Sequence, residues 1–127
     1  ARPLAPRYEG VVAEISRFLA GRIAWLGGRG VGRSRVIVDP GLGFGKTLTH
    51  NLDILRQVES FKQHGCPVLI GHSRESCLGG LLDLAGAERD PATAVVSALL
   101  TGRGVDILRV HDVRASRQAV LLAEALG

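Results

Sequence analysis

Three short aliphatic and β-branched runs punctuate the chain: Val36-Ile37-Val38, Val68-Leu69-Ile70 and Ile107-Leu108-Arg109-Val110. Short, nearly all-apolar runs of this kind are expected of buried parallel strands. Between them the apolar positions change to a helical spacing. From Tyr8 to about Leu26, Val11, Val12, Ile15, Phe18, Leu19, Ile23 and Leu26 fall on one face. A second helix is expected over about 50–64, with Leu52, Leu55, Val58 and Phe61 at three-residue spacing and Gly65 as its stop. A third, over about 75–85, carries Leu78, Leu81, Leu82 and Ala85 and ends at Gly86. Asp90-Pro91 reads as an N-cap followed by a first-turn proline. The helix it opens holds Val95, Val96, Leu99 and Leu100 as its apolar positions and stops near Gly102 and Gly104. A last helix, about 115–126, buries Val120, Ala123 and Leu126.

The order is helix, strand–helix, strand–helix–helix, strand–helix, so the sheet is expected to be parallel. Three strands cannot close a barrel, whereas eight can, and a complete (β/α)8 chain runs to about 250 residues. The α/β chain of 127 residues therefore reads as the C-terminal part of a TIM barrel, about three parallel strands with their helices. On this reading residues 1–127 are a single partial domain and the N-terminal half is absent. A small open sheet is the alternative, with exposed strand edges as its liability. The chain contains no methionine, which also suggests part of a longer protein.

Composition narrows the classes. Apolar residues make up 46%, a globular proportion. No run approaches the roughly 18 apolar residues of a membrane helix, so no membrane partner is expected. The net charge is +4, and all sixteen Lys and Arg residues except Lys46 and Lys62 are Arg. These arginines are scattered and aromatic residues are only 4%. No basic stripe with stacking aromatics argues for nucleic acid. Cys66 and Cys77 form neither a CxxC nor a zinc pattern and read as buried or half-buried thiols.

The stretch DPGLGFGKT, residues 39–47, nearly fits two nucleotide fingerprints and satisfies neither. A phosphate loop would need glycine where Pro40 stands, and a dinucleotide loop would need glycine where Lys46 stands. Chemistry in parallel α/β folds gathers at the C-terminal ends of strands. Asp39 ends the first strand, Gly71-His72-Ser73-Arg74-Glu75-Ser76 follows the second, and Arg109-Val110-His111-Asp112 closes the third. Arg109 and His111 are two apart and share a face. A guanidinium with an imidazole suits a phosphate or pyrophosphate, and an Arg109–Asp112 pair is the structural alternative. Asp39 can accept two hydrogen bonds from an amidine-like edge, such as that of a pterin or guanine, or can cap the following turn. Phe44 can cover a flat substrate or simply pack. Ser73 can donate to a carboxylate or cap a helix, and Arg74 can pair with a carboxylate.

These three segments, in this order, resemble the dihydropteroate synthase family. VIVDPGLGFGKT at 36–47, with Asn51 in the next helix, is similar to its DPGxGFxK segment. PVLIGHSRES at 67–76, which includes Gly71, is similar to its G-x-SRKS segment, and ILRVHDV at 107–113 to its RVHDV ending. The resemblance spans about residues 8–124. It implies a (β/α)8 barrel that joins 6-hydroxymethyl-dihydropterin pyrophosphate to para-aminobenzoate and releases pyrophosphate. That is a cytoplasmic, Mg²⁺-dependent step of folate synthesis and the target of sulfonamides. The resemblance implies that Asp39 binds the pterin, that Arg109 and His111 form the pyrophosphate pocket, and that Arg109 also lies against the pterin. It places Phe44 beside the aminobenzoate and Ser73 near its carboxylate. The family's metal ligand lies in the absent half, so no metal ligand is expected in this chain.

Two positions depart from the pattern. Glu75 stands at the family's Lys, which contacts the pterin. This reversal of charge beside an anionic substrate is worth on the order of several kcal/mol at moderate dielectric, so weak or absent activity is expected. His72 stands at a usually apolar position. Residues 1–127 alone are expected to be inactive, their partner being a missing N-terminal half or a second copy in a homodimer. A pterin-binding methyltransferase and a non-catalytic paralogue that only binds pterin are the competing readings.

Overall fold

Residues 6–43, 46–73, 81–82 and 85–127 are described by a computed structural model. Phe44, Arg74, Glu75, Cys77 and most of the helix expected at 75–85 lie outside them, although Leu81 and Leu82 are helical.

Helix α1 spans Pro6–Gly27 and is interrupted at Gly10, whose φ of 83° is left-handed and favours glycine. Val11, Val12 and Ile23 of α1 are buried, with Ile15 and Leu19 packed beside them. Phe18, expected inward, is 66% exposed. It lies at the edge of the apolar stripe, which needs only a ~100° face to cover its neighbours.

Helix α2, Leu48–Arg56, is shorter than the sequence suggests. The backbone leaves α geometry at Gln57 and continues as a 3-10 helix, Val58–His64, ended by left-handed Gly65. Leu55, Val58 and Phe61 are all buried. Val58 and Phe61, three apart, match the three residues per turn of the 3-10 helix, which keeps them on one face; Leu55 belongs to the last turn of α2.

Two parallel strands follow, β1 at Leu69–Ile70 and β2 at Ile107–Leu108, with Leu69 opposite Ile107 and Ile70 opposite Leu108. The first expected strand is reduced to one parallel bridge, Val38 to Val68. It is held by Val38 N–H to the Pro67 carbonyl (2.9 Å) and Leu69 N–H to the Val38 carbonyl (2.8 Å). The three segments thus lie side by side in chain order, with β1 central. At the end where these strands begin, Asp106 Oδ2 accepts from Lys62 Nζ (2.5 Å) and from the Val68 N–H (2.8 Å).

Helix α3 spans Asp90–Gly102 and α4 spans Val113–Leu126. Asp90 is the first helical residue rather than the N-cap. A short 3-10 helix, Gly86–Arg89, runs straight into α3, and Arg89 is the cap. Pro91 sits in the first turn as expected. The inward face of α3 carries buried Thr93, Ser97 and Leu100, with Val96 packed beside them, while Val95 (62%) and Leu99 (58%) are exposed. The cause lies across the interface. The side chain that α3 receives from beyond β1 is His72, and small polar residues are needed to satisfy it. Val120 and Ala123 of α4 are half-buried, but Leu126 at the chain end is exposed.

Candidate active site

Side chains alternate across a strand, so residues in register point to the same side. Val38, Pro40, Val68, Ile70 and His72 are buried under the helices. Asp39, Gly71, Ser73, Arg109 and His111 occupy the alternate positions, beyond the C-terminal ends of the three segments, and Asp39, Arg109 and His111 are exposed. The pairing register therefore puts Asp39, Arg109 and His111 on one face.

The Asp39 loop is shaped by its neighbours. Asp39 Oδ1 accepts from the Gly41 N–H at 2.8 Å, so the turn-capping role is realised. Among the described residues Oδ2 has no such bond. Gly41 and Gly43 both have φ of 76°, left-handed turns that a side chain would strain. Buried Asn51 ties this loop to α2: its Oδ1 accepts from Gly43 N–H (2.9 Å) and its Nδ2 donates to the Thr47 carbonyl (3.1 Å). Thr47 caps α2, its hydroxyl accepting from the His50 N–H at 3.1 Å.

The guanidinium of Arg109 lies against the backbone of Gly71. A β-carbon built there would stand 2.1 Å from Nη2, 2.6 Å from Cζ and 2.9 Å from Nε. The alternative partner, Asp112, is used elsewhere: its Oδ1 accepts from Ala115 N–H at 3.0 Å and caps α4. Ser73 Oγ meets His111 twice, 2.7 Å from Nδ1 and 2.8 Å from the backbone N–H that donates to it. Since Ser73 carries one hydroxyl hydrogen and two lone pairs, it can accept from a charged His111 or donate to a neutral one without moving. Arg109 and His111 also precede the N-terminus of the 14-residue α4, where the helix dipole favours anions.

His72, whose effect the sequence leaves open, is wholly buried. Its Nε2 lies 3.1 Å from the Thr93 carbonyl and 2.9 Å from Ser97 Oγ, and Ser97 Oγ lies 2.8 Å from Ser116 Oγ. Burial lowers its pKa below the ordinary 6.5, against the opposing pull of the Thr93 and Ile70 carbonyls. Among the described residues Nδ1 has no hydrogen-bond partner.

A family model described as pterin binding enzyme matches residues 2–111. The chain belongs to this family. Pterin-binding relatives include the dihydropteroate synthase of Escherichia coli strain K12, 36% identical over 121 residues, which cover 95% of this chain and 43% of that protein. The crystal structure of dihydropteroate synthase from Anaplasma phagocytophilum, with bound 6-hydroxymethylpterin-monophosphate, superposes with a TM-score of 0.90. It is 37% identical and the match covers all of this chain and 49% of that one. The Xanthomonas albilineans dihydropteroate synthase with 4-aminobenzoic acid gives 0.88 at 36% identity, over 91% of this chain and 44% of that one. The chain thus spans less than half the length of these relatives. Its parallel α/β arrangement is part of the TIM-barrel fold those synthases share.

Among the described residues no three His, Cys, Asp or Glu side chains are grouped to hold a metal ion. Asp39 and His111 do not amount to a cage for the magnesium that the resemblance implies. No described helix is long and apolar enough to cross a membrane.

Proposed function

We propose that this chain supplies part of the active site of a dihydropteroate synthase. The reaction joins 6-hydroxymethyl-dihydropterin pyrophosphate to para-aminobenzoate in folate synthesis, in the cytoplasm. The observation that carries the reading is the exposed face shared by Asp39, Arg109 and His111, with Arg109 laid over Gly71 and His111 steered by Ser73.

Asp39, with one oxygen held by the Gly41 N–H, accepts from the amino and ring N–H groups of the pterin. Arg109 and His111 hold the pyrophosphate. The arylamine is a weak nucleophile, so the bond from the pterin methylene to the pyrophosphate oxygen stretches early. Its electron pair leaves with pyrophosphate, the amine nitrogen bonds the methylene, and the amine then loses a proton. Negative charge grows on the leaving oxygens, where the Arg109 guanidinium and a ring N–H of His111 stabilise it more in the transition state than in the ground state. Ser73 accepting from Nδ1–H leaves Nε2–H of His111 for the leaving group. By resemblance alone, Phe44 is assigned to the aminobenzoate and Glu75 to the position of the family's pterin-contacting Lys.

The remaining strands of a closed barrel are supplied by an N-terminal half. The test is aminobenzoate-dependent pyrophosphate release by the chain joined to the N-terminal half of a family barrel, with Glu75→Lys restoring the family's charge at that position. Turnover that drops at least about a hundredfold in Arg109→Ala and His111→Ala supports the proposal. Turnover unaffected by both substitutions would falsify it.

A further inference from the structure

The segment Gly71-His72-Ser73 points in two directions. Gly71 and Ser73 meet Arg109 and His111 on the open face, while His72 points the other way, between the helices. From Nε2 of His72 the contacts pass to Ser97 Oγ (2.9 Å) on α3, then to Ser116 Oγ (2.8 Å) on α4. The Ser116 N–H donates to the Asp112 carbonyl at 3.3 Å, and Asp112 follows His111 directly. His111 returns to Ser73 at 2.7 and 2.8 Å, and Ser73 is bonded to His72 through the chain. The contacts close into a ring that encircles the junction between the end of β1 and the start of α4.

We infer that His72 is a positioning residue, which sets the Ser73–His111 contact from the far side of the sheet. For its catalytic consequence this rests on the synthase reading above. The physical argument is one of constraint. Within this ring, the link from His72 to Thr93 and Ser97 ties the β1 terminus to α3, and Ser97–Ser116 ties α3 to α4. An apolar residue at 72 fills space but holds no fixed distance between β1 and the α4 N-terminus, whereas bonds of defined length and direction do. The span so fixed is the one the Ser73–His111 pair must bridge. The polar inner face of α3, with Val95 and Leu99 turned outward, fits the same purpose.

The experiment compares His72→Leu, His72→Gln and Ser97→Ala by residue-resolved amide hydrogen exchange and by ¹⁵N NMR of the His111 ring. Leucine cuts the ring at its origin and alanine at its middle. Glutamine retains an amide N–H within reach of the Thr93 carbonyl. The expected result is a selective loss of protection at the His111 N–H, about tenfold or more. Displaced His111 Nδ1 resonances in the Leu and Ala variants, and recovery in the Gln variant, should accompany it. Unchanged exchange and resonances at His111 overturn the inference. So does a loss of protection spread evenly over the β1–α3–α4 core, which would make His72 a stabilising residue only. If His72→Leu does not fold, the milder Ser97→Ala decides alone. None of these readouts needs substrate, so their failure is separable from failure of the synthase reading. In the assembled enzyme, a loss of about tenfold to a hundredfold in kcat/KM accompanies the displacement.

Discussion

Gly71→Ala separates the candidate site from the fold. Gly71 is not among the glycines with positive φ, so alanine meets no backbone strain there, and the loss of chain freedom in the unfolded state favours it slightly. The conflict is local. The new methyl would stand 2.1 Å from Arg109 Nη2, and ordinary contact begins near 3.4 Å, so the guanidinium must retreat by about 1.3 Å. Arg109 is exposed and its side chain is flexible at the far end. It can swing outward at a cost of roughly 1 kcal/mol or less, or about 3–5 °C in Tm for a chain of this size. Anion binding carries the larger penalty. Losing a charge-assisted contact is worth about 1.5–3 kcal/mol, so affinity for pyrophosphate should weaken roughly ten- to a hundredfold. Thermal melting and calorimetric titration with pyrophosphate read the two effects on one sample. Unaltered pyrophosphate affinity in a folded Gly71→Ala protein refutes the placement of Arg109 in an anion site. A fall of more than about 10 °C in Tm refutes the flexible, exposed guanidinium.

Asn51→Leu removes both bonds that pin the 39–47 loop and leaves the Gly43 N–H without its acceptor; denaturant unfolding should show a loss of about 1–3 kcal/mol, with faster exchange at Gly43. Asp106 is held below its ordinary pKa first by the Lys62 hydrogen bond and then by the Val68 N–H. Its charge therefore stabilises the fold above pH 3.8 and stops doing so as pH falls through the lowered value. Asp106→Asn keeps an acceptor, so wild type should exceed it by under about 1 kcal/mol at neutral pH, as an exposed pair would, and the gap should close in acid. His72 is depressed mainly by burial, and His64 by burial and then by the Arg33 charge. The unfolded chain takes up these protons first, so stability should be full above pH 6.5 and fall below it, by up to about 1.4 kcal/mol per pH unit for buried His72 and by much less for His64, whose partial exposure lets solvent screen it. A Tm that stays flat from pH 7 to 5 would contradict this.

Much of the architecture was legible because it is written in local pattern. The β-branched runs located all three parallel segments, and the segments after them located the polar rim. The three-residue repeat Leu55, Val58, Phe61 was visible too, and it runs from the last turn of α2 into a 3-10 helix rather than along one continued α-helix. Burial on the later helices was legible only in part: Leu100 and Val96 pack against the core. Val95 and Leu99 look like core on hydrophobicity alone, yet α3 turns Thr93 and Ser97 inward because His72 arrives from β1, about twenty residues earlier in the chain. Asp106 gave no motif either, since its partners Lys62 and Val68 become neighbours only when the strands pair. In the rim, Ser73 could be foreseen as a donor. Its contact with His111, 38 residues away, could not.

The shared face depends on register, and register here has few supports. With strands of two residues, the ladder consists of a handful of bonds, among them Leu69 N–H to Val38 at 2.8 Å and Arg109 N–H to Ile70 at 3.0 Å. A slip of one residue reverses every side chain across a sheet. Moving β2 by one position would turn Arg109 and His111 into the helical layer and bring Leu108 and Val110 to the rim. Two features oppose that slip at opposite ends of β1. The carboxylate of Asp106 holds the Val68 N–H and Lys62 where the strands begin, and the buried imidazole of His72 holds α3 where β1 ends. Asp106 lies one residue before β2, so its bond to Val68 fixes β2 against β1 at the point from which Arg109 and His111 are counted. A residue far from any substrate thus determines which side chains reach it, and its substitution should disturb Arg109 and His111 through register rather than through charge.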